Sequence, residues 1–262
     1  MDTDTLVQLE HENMLEWLRI ETEPVPGSVI RLVDGVAVYA TGLPVALFNQ
    51  VVPVDGSATV EGLRAAIEVV IARDVPFFVA LRRGLDDHLV AALPGLGLEL
   101  DPEPLPGMAL FPIPADPVSP PAGVEIRAVT DAEGLDGHVR AAASGFEMPE
   151  PLARVWIGDD LWLRPGCAVY AATLDGRPVA SGFGLRTGRT IGVYTIATTP
   201  AARGRGIGEA MTRRVVADGA AEGCDVATLQ ASDMGFPIYE RIGFRTVMDR
   251  DVWFDPRLGQ GH

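Results

Sequence analysis

Residues 203 to 208 read Arg-Gly-Arg-Gly-Ile-Gly, directly after the apolar run 191–198 and directly before a stretch of helical character from Glu209. Strand, glycine loop and helix in that order build a cradle for an anion. Gly204, Gly206 and Gly208 remove the β-carbons that would hold a diphosphate away from the backbone. The helix behind them presents its free N–H groups and the positive end of its dipole. A plain strand-to-helix connector has the same composition, so the loop by itself leaves both readings open. It is not a dinucleotide fingerprint, because the first glycine of G-x-G-x-x-G is missing at the required spacing, and no Gly-Lys-Ser/Thr follows as in a triphosphatase loop.

Arg203-x-x-Gly206-x-Gly208 resembles the Arg/Gln-x-x-Gly-x-Gly/Ala signature of the GNAT superfamily of N-acetyltransferases. Further along, Tyr239-x-x-x-Gly243-Phe244 resembles the second landmark of that family, in the expected order. The resemblance covers about residues 124–254, with 124–127 as a first strand and 168–172 leading into a hairpin at Asp175-Gly176. It implies acetyl-coenzyme A as co-substrate, held by Ile196, Ala197, Thr198, Arg203, Gly204, Arg205, Gly206, Ile207, Gly208 and Glu209. It implies a backbone N–H near Ala197 or Thr198 that stabilises charge on the carbonyl oxygen, where the strand splays from its neighbour. It also implies that the Tyr239 hydroxyl protonates the departing thiolate, whereas a tyrosine at this place without Gly243 and Phe244 reads as a packed aromatic.

The acceptor implied is a primary amine, on a small molecule or a peptide, attacking directly with no covalent enzyme intermediate. No motif fixes the general base. Glu147, in the segment that roofs the acceptor site in such folds, is a candidate base or a solvated loop acid. His138 falls on an expected helix, as a surface or core residue or a base. Phe146, Trp156 and Trp162 put aromatic area nearby, for an acceptor pocket or for core packing. The rival reading is a non-catalytic coenzyme A-binding or regulatory module.

Composition bounds the remaining possibilities. The chain has 262 residues, 47% of them apolar and 22% charged, an ordinary globular balance that excludes wholesale disorder. Apolar runs such as 65–72 are too short to span a bilayer, and the acidic start Met1-Asp-Thr-Asp does not read as a secretory signal. Cys167 and Cys224 are too few for a disulfide framework or structural zinc, so no metal is implied, both read as small apolar strand residues, and a reducing cytoplasm is expected. A formal net charge of −15 makes nucleic acid a poor partner. Against that background Arg203, Arg205, Arg213 and Arg214 gather near the loop, where an anionic ligand would lie. A monomer or homodimer is expected.

Five prolines in residues 112–123 mark a linker. Upstream, 29–39 reads as a strand pair around Asp34-Gly35, 60–72 as an amphipathic helix, 77–81 as a buried strand, 85–93 as a helix, and 6–20 as a leading helix. Gly62 and Gly208 are separated by 146 residues, as are Gly97 and Gly243, and Val69-Val70 and Val215-Val216. That shared offset predicts an α+β protein of two GNAT-like halves, each a mixed, mostly antiparallel sheet flanked by helices. The expected division is 1–112 as a degenerate half without cofactor, 113–123 as linker and 124–262 as the catalytic domain. Carrying the offset to the chemistry sets Ser57, Val60, Gly62 and Leu93 against Arg203, Gly206, Gly208 and Tyr239, so the first half has lost the cradle and the acid.

Overall fold

The computed structural model describes residues 1–115 and 119–258. In chain order the elements are α1 (Thr3–Thr22), β1 (Val29–Val33), β2 (Val36–Ala40), β3 (Asn49–Pro53), α2 (Val60–Ile71), β4 (Phe78–Arg82), α3 (Asp87–Val90), β5 (Glu99–Leu100) and β6 (Leu105–Leu110). There follow β7 (Val124–Ala128), α4 (Ala132–Gly145), α5 (Glu150–Ile157), β8 (Cys167–Leu174), β9 (Arg177–Thr187), β10 (Thr190–Thr198), α6 (Ile207–Ala221), β11 (Val226–Gln230), α7 (Phe236–Ile242) and β12 (Arg245–Phe254). The architecture is α+β, with mostly antiparallel sheet and helices packed on it. Among the described residues no helix is long and apolar enough to cross a membrane.

The chain divides into two compact units, Met1–Trp17 with Gly107–Val247, and Leu18–Pro106 with Met248–His262. This division differs from the linear one read from the proline-rich stretch, because strand pairing sets it. The last part of β12 pairs with β4, from Arg250 opposite Arg82 to Phe254 opposite Phe78. The end of β6 pairs with β11, from Leu110 opposite Ala227 to Gly107 opposite Gln230. Backbone hydrogen bonds between residues so far apart in sequence leave no compositional trace.

In the unit of Leu18–Pro106, strand order is β1-β2-β3-β4-β12, with β5 on β12. The β1–β2 turn uses Asp34 and Gly35 at φ 42° and 81°, the left-handed pair a tight hairpin needs. Helix α2 buries Leu63, Ala66, Ile67 and Val70, one helical face. The expected helix over 85–93 is shorter, α3 with a 3-10 turn over Pro94–Leu96, because Pro94 has no N–H to continue it.

In the unit that contains the glycine loop, strand order is β6-β11-β10-β9-β8-β7, antiparallel throughout except for β10 beside β11. Met211, Val215 and Val216 of α6 join Ile191, Val193, Ala227 and Leu229 in one core. Gly182 and Gly184 are bare so that Met211 and Val215 can pack on β9: β-carbons there would stand 2.6 Å and 2.9 Å from those side chains. On α1, Trp17 stacks on Tyr194 at 4.5 Å and 9°, and the Tyr194 hydroxyl donates to Asn13 Oδ1 at 2.5 Å. Cys224 precedes β11 instead of lying in a strand, the turn at Gly223 (φ 94°) setting the start of β11 at Val226.

Candidate functional site

Two parallel strands part at the site. Register between β10 and β11 runs only from Thr190 with Val226 to Gly192 with Thr228, although the strands continue to Thr198 and Gln230. Past Gly192, β10 carries a bulge between Tyr194 and Ala197 against Phe183 and Ser181, with Thr195 at φ 47°. The Ser181 hydroxyl pins it by donating to the Thr195 carbonyl oxygen at 2.8 Å. A bulge strengthens local twist and turns the strand out of its ladder, which opens the fork.

Thr198 stands at the end of that fork. The Thr199 N–H donates to the Val179 carbonyl oxygen at 2.9 Å, so antiparallel alternation turns the Thr198 backbone groups away from β9. Its carbonyl oxygen accepts from Arg203 Nε at 3.2 Å, and its N–H faces the parted side.

The loop follows. Gly204 and Gly206 both have φ 76°, a left-handed conformation that costs any other L-residue about 1–2 kcal/mol. Gly208 has an ordinary backbone, and a β-carbon there would meet Thr198 Oγ1 at 3.5 Å and Ile196 Cγ2 at 4.0 Å. Helix α6 starts at Ile207, earlier than the sequence indicates, because left-handed Gly206 is its N-cap and offers no side-chain acceptor. The first-turn N–H groups of Ile207, Gly208 and Glu209 are therefore open to an external anion.

The charges differ from the simple cluster read in the sequence. Arg214 is spent on Asp218 at 2.9 Å and on the Ile126 carbonyl at 3.2 Å, beside the Tyr170 ring. Arg213 holds Glu209 at 3.0 Å, and Arg241 approaches the same carboxylate at 3.8 Å. Arg205 is exposed and takes no partner among the described residues. Arg203 has a structural set of partners: Thr198 O, Gly145 O at 2.9 Å and the Glu147 carboxylate at 3.4 Å.

Fork, loop and α7 enclose a cleft of about 470 Å³. Its lining includes Ile196, Ala197, Thr198, Arg203, Gly204, Gly206, Ile207, Gly208, Glu209 and Tyr239, so of the expected binding residues only Arg205 is absent from it. Gly145, Phe146, Thr212, Ser232, Met234, Gly235, Ile238 and Arg241 also line it, which the motifs did not indicate. Gly235 precedes Tyr239 by one helical turn, a spacing that by itself marks no site. A smaller hollow of about 340 Å³ beside β7 and α4 holds none of the loop residues.

Tyr239 is half-buried, its ring edge-on to Phe244 at 6.0 Å and 63°. Its hydroxyl has no partner among the described residues, and burial pushes its pKa up to about 12. The phenol therefore keeps its proton at neutral pH. Glu147 is paired with Arg203, its side chain 70% exposed, and it does not line the cleft. His138 is buried, with Nδ1 2.8 Å from the Tyr170 carbonyl oxygen, and desolvation lowers its pKa to about 4. Trp156 is buried edge-on against Phe146 at 5.8 Å and 77°, while Trp162 is partly exposed and donates to the Asp159 carbonyl at 3.0 Å.

The matching positions of the other unit are closed. The Thr59 hydroxyl caps α2 by accepting from the Gly62 N–H at 3.0 Å, and a β-carbon on Gly62 would stand 2.7 Å from the Val33 carbonyl oxygen. Leu93 is fully buried, and the Ser57 N–H is taken by Asp55.

The family model of the acetyltransferase (GNAT) domain matches residues 122–236. The match ends before Tyr239. Solved structures share the fold: a GCN5-related N-acetyltransferase from Kribbella flavida has TM-score 0.67 at 18% identity, covering 94% of this chain and 94% of its own. A tandem GNAT protein from the clavulanic acid biosynthesis pathway has TM-score 0.62 at 13% identity, covering 97% of this chain and 96% of its own. A GCN5-related N-acetyltransferase from Sphaerobacter thermophilus has TM-score 0.62 at 14% identity, over 84% of this chain and 76% of its own. No curated protein matches the chain in sequence. The chain thus has the fold of two GNAT-like halves.

Proposed function

We propose, on the match of residues 122–236 to the family model of the acetyltransferase (GNAT) domain, that this protein transfers an acetyl group from acetyl-coenzyme A to a primary amine by direct attack. The observation that carries this reading is one cleft in which the open N-terminus of α6, the outward N–H of Thr198 and the Tyr239 hydroxyl, without a partner among the described residues, all stand. Glycines at 204, 206 and 208 leave bare backbone at the anion end of that cleft, so the donor set fits a diphosphate.

Each residue then has one task. The N–H groups of Ile207, Gly208 and Glu209 take the diphosphate, with Arg205 adding positive potential at the mouth. The Thr198 N–H is the fork-side donor for the pantetheine arm of coenzyme A or for the thioester carbonyl, whose oxygen gains charge in the transition state. The amine nitrogen forms a bond to the carbonyl carbon, the carbon–sulfur bond breaks, and Tyr239 gives its proton to the leaving sulfur. The proton lost by the amine returns to Tyr239 through solvent, so the products are an amide and a free thiol. Glu147, held by Arg203, serves the corner at 145–147 and not as base. In the other unit Thr59 occupies the helix N-terminus, and that half acts as a structural partner. A cytoplasmic setting suits this chemistry.

The test is a panel of primary amines with acetyl-coenzyme A, reading thiol release: aliphatic monoamines, polyamines, amino acids, aminoglycosides and peptides with free N-termini. At least one should raise thiol release above hydrolysis. Coenzyme A binding without turnover on any class would make the protein a binding module instead.

A further inference from the structure

Gly235 stands one helical turn before Tyr239, at φ −81° and ψ −33°, an ordinary right-handed conformation. Alanine adopts it without strain, so the backbone does not demand a glycine here. The neighbouring side chain does. A β-carbon on Gly235 would stand 2.7 Å from Cε2, 3.2 Å from Cζ and 3.3 Å from the hydroxyl oxygen of Tyr239. Relaxed carbon contacts lie at about 3.5–4.0 Å. The tyrosine ring therefore rests against a bare α-carbon, with the Phe244 ring edge-on at 6.0 Å.

We infer that Gly235 is a positioning residue: by lacking a side chain it sets where the Tyr239 hydroxyl stands in the cleft. This rests on the reading of Tyr239 as the acid. The backbone at Gly235 is anchored, its N–H donating to Ser232 O at 2.9 Å and its carbonyl accepting from Ile238 at 2.9 Å and Tyr239 at 3.1 Å. A methyl group added there displaces the free end of the tyrosine, and the hydroxyl sits at that end. Misplacing a reacting group by about 1 Å costs on the order of 10²-fold in rate.

The test compares Gly235→Ala, Tyr239→Phe and the double variant in the full chain. Turnover is read as thiol release with the best amine of the panel, alongside coenzyme A affinity and melting temperature. Ring-labelled tyrosine NMR follows Tyr239, assigned by its loss in Tyr239→Phe. Gly235→Ala should lower kcat by roughly 10- to 100-fold, leave affinity and melting temperature nearly unchanged, and shift the Tyr239 ring resonance. In the Tyr239→Phe background it should cost little more, since no hydroxyl remains to misplace. Unchanged kcat and ring resonance in Gly235→Ala, with Tyr239→Phe impaired, would overturn the inference and spare the acid. Equal losses in both backgrounds would make Gly235 a structural residue only. A fully active Tyr239→Phe would remove the acid and the inference together.

Discussion

Nη2 of Arg203 lies 2.9 Å from the carbonyl oxygen of Gly145, while Nε of the same guanidinium takes the Thr198 carbonyl at 3.2 Å. The first residue of the glycine loop is thus a staple between the end of β10 and the corner after α4. Gly145 must be bare for the staple to close, since a β-carbon there would stand 2.7 Å from Ala197 Cβ. Arg203→Ala should destabilise the protein by about 1–2 kcal/mol and weaken coenzyme A binding, as measured by thermal unfolding and calorimetry. Arg203→Lys should not restore it, because one ammonium cannot reproduce the fork that meets two carbonyls. Wild-type stability in Arg203→Ala would contradict the staple.

The loop glycines separate by backbone conformation. Gly206→Val carries left-handed strain as well as a side chain, so it should lose both affinity and about 1–2 kcal/mol of stability. Gly208→Val, at an ordinary φ with only contacts of 3.5 Å and 4.0 Å for its β-carbon, should keep its melting temperature and lose coenzyme A affinity by roughly 10-fold or more. Equal melting shifts in the two variants would argue against this separation.

Tyr239→Phe removes a hydroxyl with almost no change in volume. Turnover should fall on the order of 10²-fold where proton transfer limits the rate, with coenzyme A affinity unchanged. Because burial holds the phenol near a pKa of about 12, it stays protonated throughout the neutral range. The pH–rate profile of the wild type should therefore show no limb from Tyr239 below about pH 11. Steady-state kinetics on both proteins across pH checks this.

His138 makes a prediction about stability alone. Its pKa is lowered to about 4 by burial, so between about pH 6.5 and 4 the unfolded chain binds more protons than the folded one. Stability then falls as pH drops through that window, by up to about 3 kcal/mol from this group. His138→Gln, which keeps a donor for the Tyr170 carbonyl, should flatten the dependence of melting temperature on pH there. An unchanged slope would mean that the ring is charged in the folded state.

The hairpin at Asp34-Gly35, the strand 124–128, the fork strand and the helix behind the loop were all legible, because each is written in a local run of residues. So was the run of residues that lines the cleft, since left-handed turns such as those at 204 and 206 favour glycine. The unit boundary was not legible: pairing of β12 with β4 and of β6 with β11 joins residues far apart in sequence, and no local pattern encodes it. The partner of Glu147 was hidden for the same reason. Only the folded chain brings it to Arg203, 3.4 Å away. Gly235 needed the ring of Tyr239 in place before its bareness acquired a meaning.

The most direct test is a calorimetric titration of coenzyme A into the full chain and into Gly208→Val. The cleft at the α6 N-terminus, together with the Thr59 cap on the matching helix end of the other unit, predicts one molecule bound per chain and strongly weakened binding in the variant. Two molecules per chain, no binding, or a variant with wild-type affinity would contradict the assignment.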